Sequence, residues 1–168
     1  PMTDFFSAPN RIIITCNKRL SPYLEMEVKE LGFRPERTFP TGVELRGTIN
    51  DCIRLNLNLR CASQVVYLIS EFAANSVDDV YNGLLKIEWE TIIAGEGYFS
   101  VTSNVDHPSI TNTLFANVKV KDAIADRMRN ETGSRPNSGP ELDKTVVHLF
   151  WRNEMAAIFL DTSGSTLA

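Results

Sequence analysis

At 168 residues, with 43% hydrophobic and 23% charged content, the chain can bury one real core or two small ones, and it is not disordered as a whole. Its net charge of −4 excludes a protein that coats nucleic acid by bulk electrostatics, so any polynucleotide contact must come from a local patch. The charge is uneven: residues 10–60 hold nine Lys/Arg against six Asp/Glu, residues 61–118 hold only Lys86 against seven acids, and residues 119–168 balance at seven each.

Residues 1–9 read as a disordered or extraneous start. Arg11 to Cys16 is a β-branched run expected to form a buried strand. A helix follows, with Ser21 as its cap, Pro22 in its first turn, Leu20, Leu24, Val28 and Leu31 at helical spacing, and Gly32 at its end. Arg37 to Phe39 and Gly42 to Arg46 are short strands about a Pro40-Thr41-Gly42 turn. Asn50 to Cys61 alternates like a strand over Leu55 to Leu59. Ile49, Ile53, Leu57 and Cys61 nevertheless recur at four-residue steps, with Asn50 or Asp51 as a cap, and a helix is expected. Gln64 to Phe72 reads as a strand. The order βαββαβ over residues 10–72 is ferredoxin-like, within an α+β class.

A second α/β unit is expected over residues 73–164. Val77, Val80, Tyr81, Leu84 and Leu85 make an amphipathic helix after Asn75-Ser76, and Ile87 to Trp89 continues or caps it. Gly95-Glu96-Gly97 reads as a turn, and Tyr98 to Thr102 as a strand. A long helix comes next. Ser109, Thr111, Asn112 and Thr113 can cap it, and Leu114, Val118, Ile124, Ala125 and Met128 fall on one side at about 100° per residue. That side is the expected core face, with Phe115 also buried and Lys121 in the same sector. Gly133 and Pro136 stop the helix, and Arg135 to Glu141 is a surface loop. Val146 to Trp151 and Met155 to Leu160 form a hairpin about Arg152-Asn153-Glu154, and Asp161 to Gly164 starts a linker.

Recognisable catalytic motifs are missing. The chain has no G-x-x-x-x-G-K-[ST], no H-E-x-x-H and no G-x-S-x-G. Asp78-Asp79 reads as a solvated helix cap, and His107 and His148 as polar loop or sheet residues. Trp89 and Trp151 belong to the core. Cys16, Cys52 and Cys61 lack C-x-x-C spacing and read as small buried hydrophobes in a reducing compartment, so no metal site is expected. No run approaches 18 apolar residues, and a cytoplasmic protein with no membrane partner is expected.

The stretch from Asn112 to Asp126, NTLFANVKVKDAIAD, resembles the N-T-Q-F-A-A-L-K-V-K-D-A-I-V-D pattern of THUMP domains, in particular those fused to bacterial large-subunit rRNA guanine-N2 methyltransferases. Phe39 to Gly47, Asn56 to Ala62, Asp79 to Trp89 and Leu160-Asp161-x-Ser163-Gly164 fall where that family has comparable segments. The resemblance implies a ferredoxin-like subdomain and a THUMP domain that together dock RNA for a SAM-dependent enzyme. Ribosomal RNA is favoured as the target, with transfer RNA as the alternative. No catalytic or cofactor-binding residue is assigned within this chain. SAM and a C-terminal methyltransferase domain belong to the parent polypeptide, with residues 165–168 starting the linker toward it.

Phosphates attract cations, and residues at a helix start add hydrogen bonds. Lys119, Lys121, Arg127 and Arg135 are the expected phosphate contacts, with Ser109, Asn112 and Thr113 at the mouth of the site and Arg60 and Arg152 as further candidates. The alternative is a ferredoxin-like protein-interaction or small-ligand regulatory module, which would dimerise and leave RNA alone.

Overall fold

The computed structural model describes residues 8–93, 97–110, 112–141 and 145–163. They divide into two units, Pro1–Leu68 with Asp161–Ala168, and Ile69–Leu160. Thr111, most of the Gly95-Glu96-Gly97 turn, and the segments read as a start at 1–7 and as a linker at 164–168 lie outside the described residues.

In the first unit the elements are β1 (Asn10–Thr15), α1 (Ser21–Glu30), β2 (Arg37–Phe39), β3 (Gly42–Gly47), α2 (Ile49–Asn58) and the first half of β4 (Gln64–Ala73). The strands run in the order β2-β3-β1-β4, each antiparallel to its neighbour, which is the ferredoxin-like arrangement. Alternation sends Ile12 and Ile14 of β1 inward, where Leu24, Val28, Val43, Leu45, Cys52 and Leu55 close over them without solvent exposure. Burial pushes the Cys52 thiol up to about 12, so it behaves as an apolar side chain. Cys61, expected to be buried, is only partly so.

Three details of this unit differ from the sequence expectation. Ser21 is the buried first residue of α1 rather than its cap, and its hydroxyl donates to the Phe39 carbonyl at 2.7 Å, tying α1 to β2. Thr48 caps α2 in place of Asn50 or Asp51. Its Oγ1 accepts from the Asp51 N–H at 3.2 Å, while the Asp51 carboxylate accepts from the Thr48 N–H at 2.9 Å, a reciprocal capping box. The buried stripe of α2 is Ile49, Cys52 and Leu55, and Leu57 is 79% exposed. Four-residue steps drift by about 40° each on an α-helix, so a 49-53-57 series walks off the core.

Asp161 to Ser163 is fixed within this unit rather than starting a loose linker. Thr162 is buried, its N–H and Oγ1 both donate to the Val65 carbonyl (2.9 and 2.6 Å), and Asn56 Nδ2 donates to the Thr162 carbonyl at 2.8 Å.

The second unit holds the rest of β4, α3 (Val77–Leu85), a short turn at Trp89–Thr91, β5 (Tyr98–Asp106), α4 (Thr113–Thr132), β6 (Asn137–Ser138), β7 (Thr145–Arg152) and β8 (Met155–Asp161). Its strand order is β4-β8-β7-β5-β6. β5 runs four residues beyond the predicted end and pairs in parallel with β7, so α4 lies on the crossover between them. The Arg135 to Glu141 loop is not wholly irregular, because Asn137-Ser138 pairs in parallel with Tyr98-Phe99. β7 and β8 are joined through Asn153 at φ 56 and Glu154. Trp89 and Trp151 are fully buried, their indole N–H groups donating to the Leu84 and Ala74 carbonyls (2.9 and 3.1 Å).

α4 is rotated from the expected setting. Ala116, Val120, Ala123, Ile124 and Met128 face the core, whereas Leu114, Phe115 and Val118 are 67%, 52% and 51% exposed. Small alanines let α4 approach α3 and the sheet closely, and that contact sets the buried face. Gly133 ends the helix at φ 78, its N–H donating to the Arg129 carbonyl. No helix among the described residues is long and apolar enough to cross a membrane.

The capping box yields a direct check. Thr48→Ala should lower unfolding stability by about 1 kcal/mol, whereas Asn50→Ala should change it by no more than about 0.5 kcal/mol, both read from urea unfolding at neutral pH.

Candidate nucleic-acid interface

Because β5 and β7 are parallel, their carboxyl ends coincide, with Asp106 opposite Arg152. The chain leaves β5 at His107, whose ring stacks on Trp151 with centroids 4.3 Å apart and planes 19° off parallel. His107 Nδ1 accepts the Ser109 N–H at 3.2 Å and lies 2.7 Å from Ser109 Oγ, so the ring proton sits on Nε2. The Ile110 N–H closes a turn onto the His107 carbonyl at 3.1 Å. Asn112 then caps α4, its side-chain oxygen accepting the Leu114 N–H at 2.9 Å. Ser109, Asn112, Thr113 and Arg152 thus come to one end of the second unit, on a loop held by a buried tryptophan. In open α/β sheets, ligands bind at the carboxyl ends of parallel strands.

The predicted phosphate contacts divide sharply. Arg127 is inward. Its Nη2 and Nε meet Glu90 Oε1 at 2.6 and 3.1 Å, Nη1 donates to the Leu85 carbonyl at 3.2 Å, and its side chain is 23% exposed. The guanidinium holds the Glu90 carboxyl below the usual carboxylate range, and Glu90 in turn raises Arg127. Arg129 bonds Asp126 at 3.2 Å, and Asp126 also accepts the Tyr81 hydroxyl at 2.5 Å. Arg135 lies 4.0 Å from Asp122, beyond the far end of the helix.

Lys119 and Lys121 have no ion-pair partner among the described residues. The Lys119 ammonium stands between the Tyr81 and Phe115 rings, 6.0 and 5.9 Å from their centroids, near the outer limit of a cation–π contact. At about 100° per residue, Lys119 and Lys121 occupy opposite flanks of α4 rather than a single face. Residues 107–121 contain no Asp or Glu. Among the described residues Lys119 and Lys121 are therefore left without a carboxylate partner, whereas Arg127, Arg129 and Arg135 each meet one.

Arg152 is exposed and lies over the Phe150 ring at 4.9 Å. Arg60 belongs to the first unit, where its N–H and that of Cys61 bond the two Glu27 oxygens at 3.0 and 2.9 Å. Burial pushes the Glu27 carboxyl up, but these two N–H bonds outweigh it and hold the group below its ordinary value.

Asp79 accepts the Asn75 N–H at 2.9 Å as part of a helix start, and His148 Nδ1 pairs with Thr102 Oγ1 at 2.8 Å within the sheet. No group of three His, Cys, Asp or Glu able to share a metal ion occurs among the described residues. SAM would need a glycine-lined turn between a strand and a helix, yet the β1–α1, β4–α3 and β5–α4 connections contain no glycine, and Gly47 before α2 is closed off by the Asp51 carboxylate and the Ile12 side chain. Gly42, Gly83 and Gly139 are closed off by their own neighbours: an added Cβ would collide with the Ile14 carbonyl, the Phe72 ring and the Tyr98 hydroxyl in turn. The described residues do not fit that cofactor.

By sequence, residues 11–66 match the RlmL ferredoxin-like domain and residues 74–161 match the THUMP domain. The chain belongs to the THUMP domain family. It is 36% identical over 151 residues to a ribosomal RNA large subunit methyltransferase K/L of Psychromonas ingrahamii, covering 89% of this chain and 20% of the relative. A protein of the same name from Pseudomonas putida strain GB-1 is 33% identical over 167 residues, covering 99% and 22%. The chain thus spans about a fifth of the length of the curated relatives it matches. Among solved structures it shares its fold with TrmN from Thermus thermophilus, at TM-score 0.62 and 17% identity over 92% of this chain and 45% of that one. A 4-thiouridine synthetase–RNA complex with bound ATP is also similar, at TM-score 0.55 and 13% identity over 92% and 41%.

Sequence reasoning missed Glu90 and Tyr81 as partners of the α4 charges, because the spacing within one helix does not reveal acids supplied by a neighbouring segment. It also missed the exposed strip of Leu114, Phe115 and Val118. The Ala116-Val120-Ala123/Ile124 series carried the correct face at steps of four and three, but its alanines weigh little beside leucine and valine.

Arg127→Met should cost about 2–3 kcal/mol of stability by leaving the Glu90 charge half-buried and unpaired. The loss should shrink on acidification. Glu90 titrates lower in the fold than its unfolded value of about 4.3, so its contribution is complete above that value and disappears as pH falls through the folded one. Urea unfolding of the wild type and Arg127→Met at pH 7 and pH 3 checks this: the gap between them should narrow at pH 3.

Proposed function

We propose that this chain is the RNA-docking region of a SAM-dependent methyltransferase acting in the cytoplasm on large-subunit ribosomal RNA, at a guanine N2. In this reading residues 10–72 are the ferredoxin-like subdomain and residues 73–164 the THUMP domain. The methyl donor and the catalytic domain belong to another part of the same polypeptide. The observation that carries the reading is the acid-free stretch from His107 to Lys121, which presents Lys119 and Lys121, without an ion-pair partner among the described residues, beside a capped helix start. Family membership and the names of the rRNA methyltransferase relatives support it.

Physically, the THUMP unit supplies position rather than chemistry. Phosphate oxygens pair with Lys119, Lys121 and Arg152, while Ser109, Asn112 and Thr113 offer hydrogen bonds beside them. Arg127 has no part in binding, because its guanidinium already braces Glu90 and Leu85. The Arg135 guanidinium already faces the Asp122 carboxylate at 4.0 Å. It adds little to the same site. With only a few phosphates neutralised, affinity is modest and salt dependence clear but not steep.

Lys119→Glu with Lys121→Glu should weaken binding to a labelled single-stranded RNA at least about tenfold and flatten the log–log salt dependence by about 1.4, or 0.7 for each phosphate no longer neutralised. Fluorescence anisotropy at several salt concentrations measures both. Unchanged affinity in a folded double variant counts against the assignment.

A further inference from the structure

We propose that Leu114, Phe115 and Val118 form a stacking strip for unpaired RNA bases, with Lys119 and Lys121 holding the adjoining phosphates. The proposal rests on the RNA-binding reading above and specifies what part of an RNA the site takes. Seven large hydrophobic side chains are exposed among the described residues, and three of them fall within these five positions. They lie close together on the solvent side of α4, opposite the alanine-lined contact with the core, at exposures of 67%, 52% and 51%. An apolar patch on a helix surface calls for an occupant.

Charge selects that occupant. The two flanking lysines lack carboxylate partners among the described residues, and no acid occurs from His107 to Lys121. A second copy of the chain docked strip to strip would bring four lysines together, whereas a polyanion with flat apolar faces satisfies strip and flanks at once. A duplex hides its bases, leaving the strip uncovered. Unpaired nucleotides expose both phosphate and ring, and stacking on aromatic side chains is sequence-tolerant because every base has a π-face. Lys119, drawn toward the Phe115 ring, meets the phosphate of the same nucleotide whose base lies on that ring.

The test uses the 168-residue chain with a fluorescein-labelled single-stranded oligoribonucleotide and a blunt duplex of equal length. Phe115→Ser, on the surface and therefore expected to fold, should weaken single-strand binding about fivefold or more, leave duplex binding unchanged and preserve the salt slope. In Phe115→Trp, fluorescence should be quenched by the single strand and not by the duplex, against the constant background of buried Trp89 and Trp151. Equal losses for both RNAs, or wild-type affinity in Phe115→Ser with no quenching in Phe115→Trp, overturn the stacking strip while leaving RNA docking intact and point to a protein as its occupant. A wild-type chain that binds neither RNA overturns the docking reading and this proposal together.

Discussion

The close contact between the alanine-lined face of α4 and the core of the second unit decides what the rest of that helix can do. Ala116 and Ala123 are at or below 3% exposure, and they let the helix backbone sit down on its neighbours while Val120, Ile124 and Met128 fill the remaining space. Once that face is buried, the helical repeat sends Leu114, Phe115 and Val118 to solvent and Lys119 and Lys121 to the two flanks. Arg127 is drawn inward, where Glu90 and the Leu85 carbonyl complete its hydrogen bonds. One packing choice therefore separates cations that brace the fold from cations free to meet a ligand.

This division makes local binding possible on a protein with a net charge of −4. Arg127 and Arg129, on the second half of α4, are matched by Glu90 and Asp126, and Arg135 beyond the helix reaches back to Asp122. Lys119 and Lys121 on the first half have no ion-pair partner among the described residues, and the parallel β5–β7 pair adds Arg152 at the same end. Screening over about 8 Å at physiological salt confines the resulting field to that end, so distant acids do not cancel it.

The fold was largely legible in the sequence. The βαββαβ order of the first unit, both helix stops at Gly32 and Gly133, the Asn112 cap and the β7–β8 hairpin all rest on local signals, namely alternation, turn residues and caps. What failed depended on tertiary contact. Thr48 outcompetes Asn50 and Asp51 as a cap because its hydroxyl and the Asp51 carboxylate satisfy each other's backbone groups. The face of α4 was misread because alanine carries little hydrophobic weight yet permits the closest approach. The ion pairs of Arg127 and Arg135 were not legible for the same reason: the acids that meet them, Glu90 and Asp122, are identified only when packing places them.

The central claim is that RNA meets the amino-terminal half of α4 and the adjoining ends of β5 and β7. Amide resonances of the isotopically labelled chain, followed during titration with a short single-stranded RNA, test it most directly. Shifts should concentrate at residues 107–121 and around Arg152, leaving residues 125–135 silent. Shifts centred on Arg127 to Arg135, or absent from residues 107–121 altogether, would contradict the account.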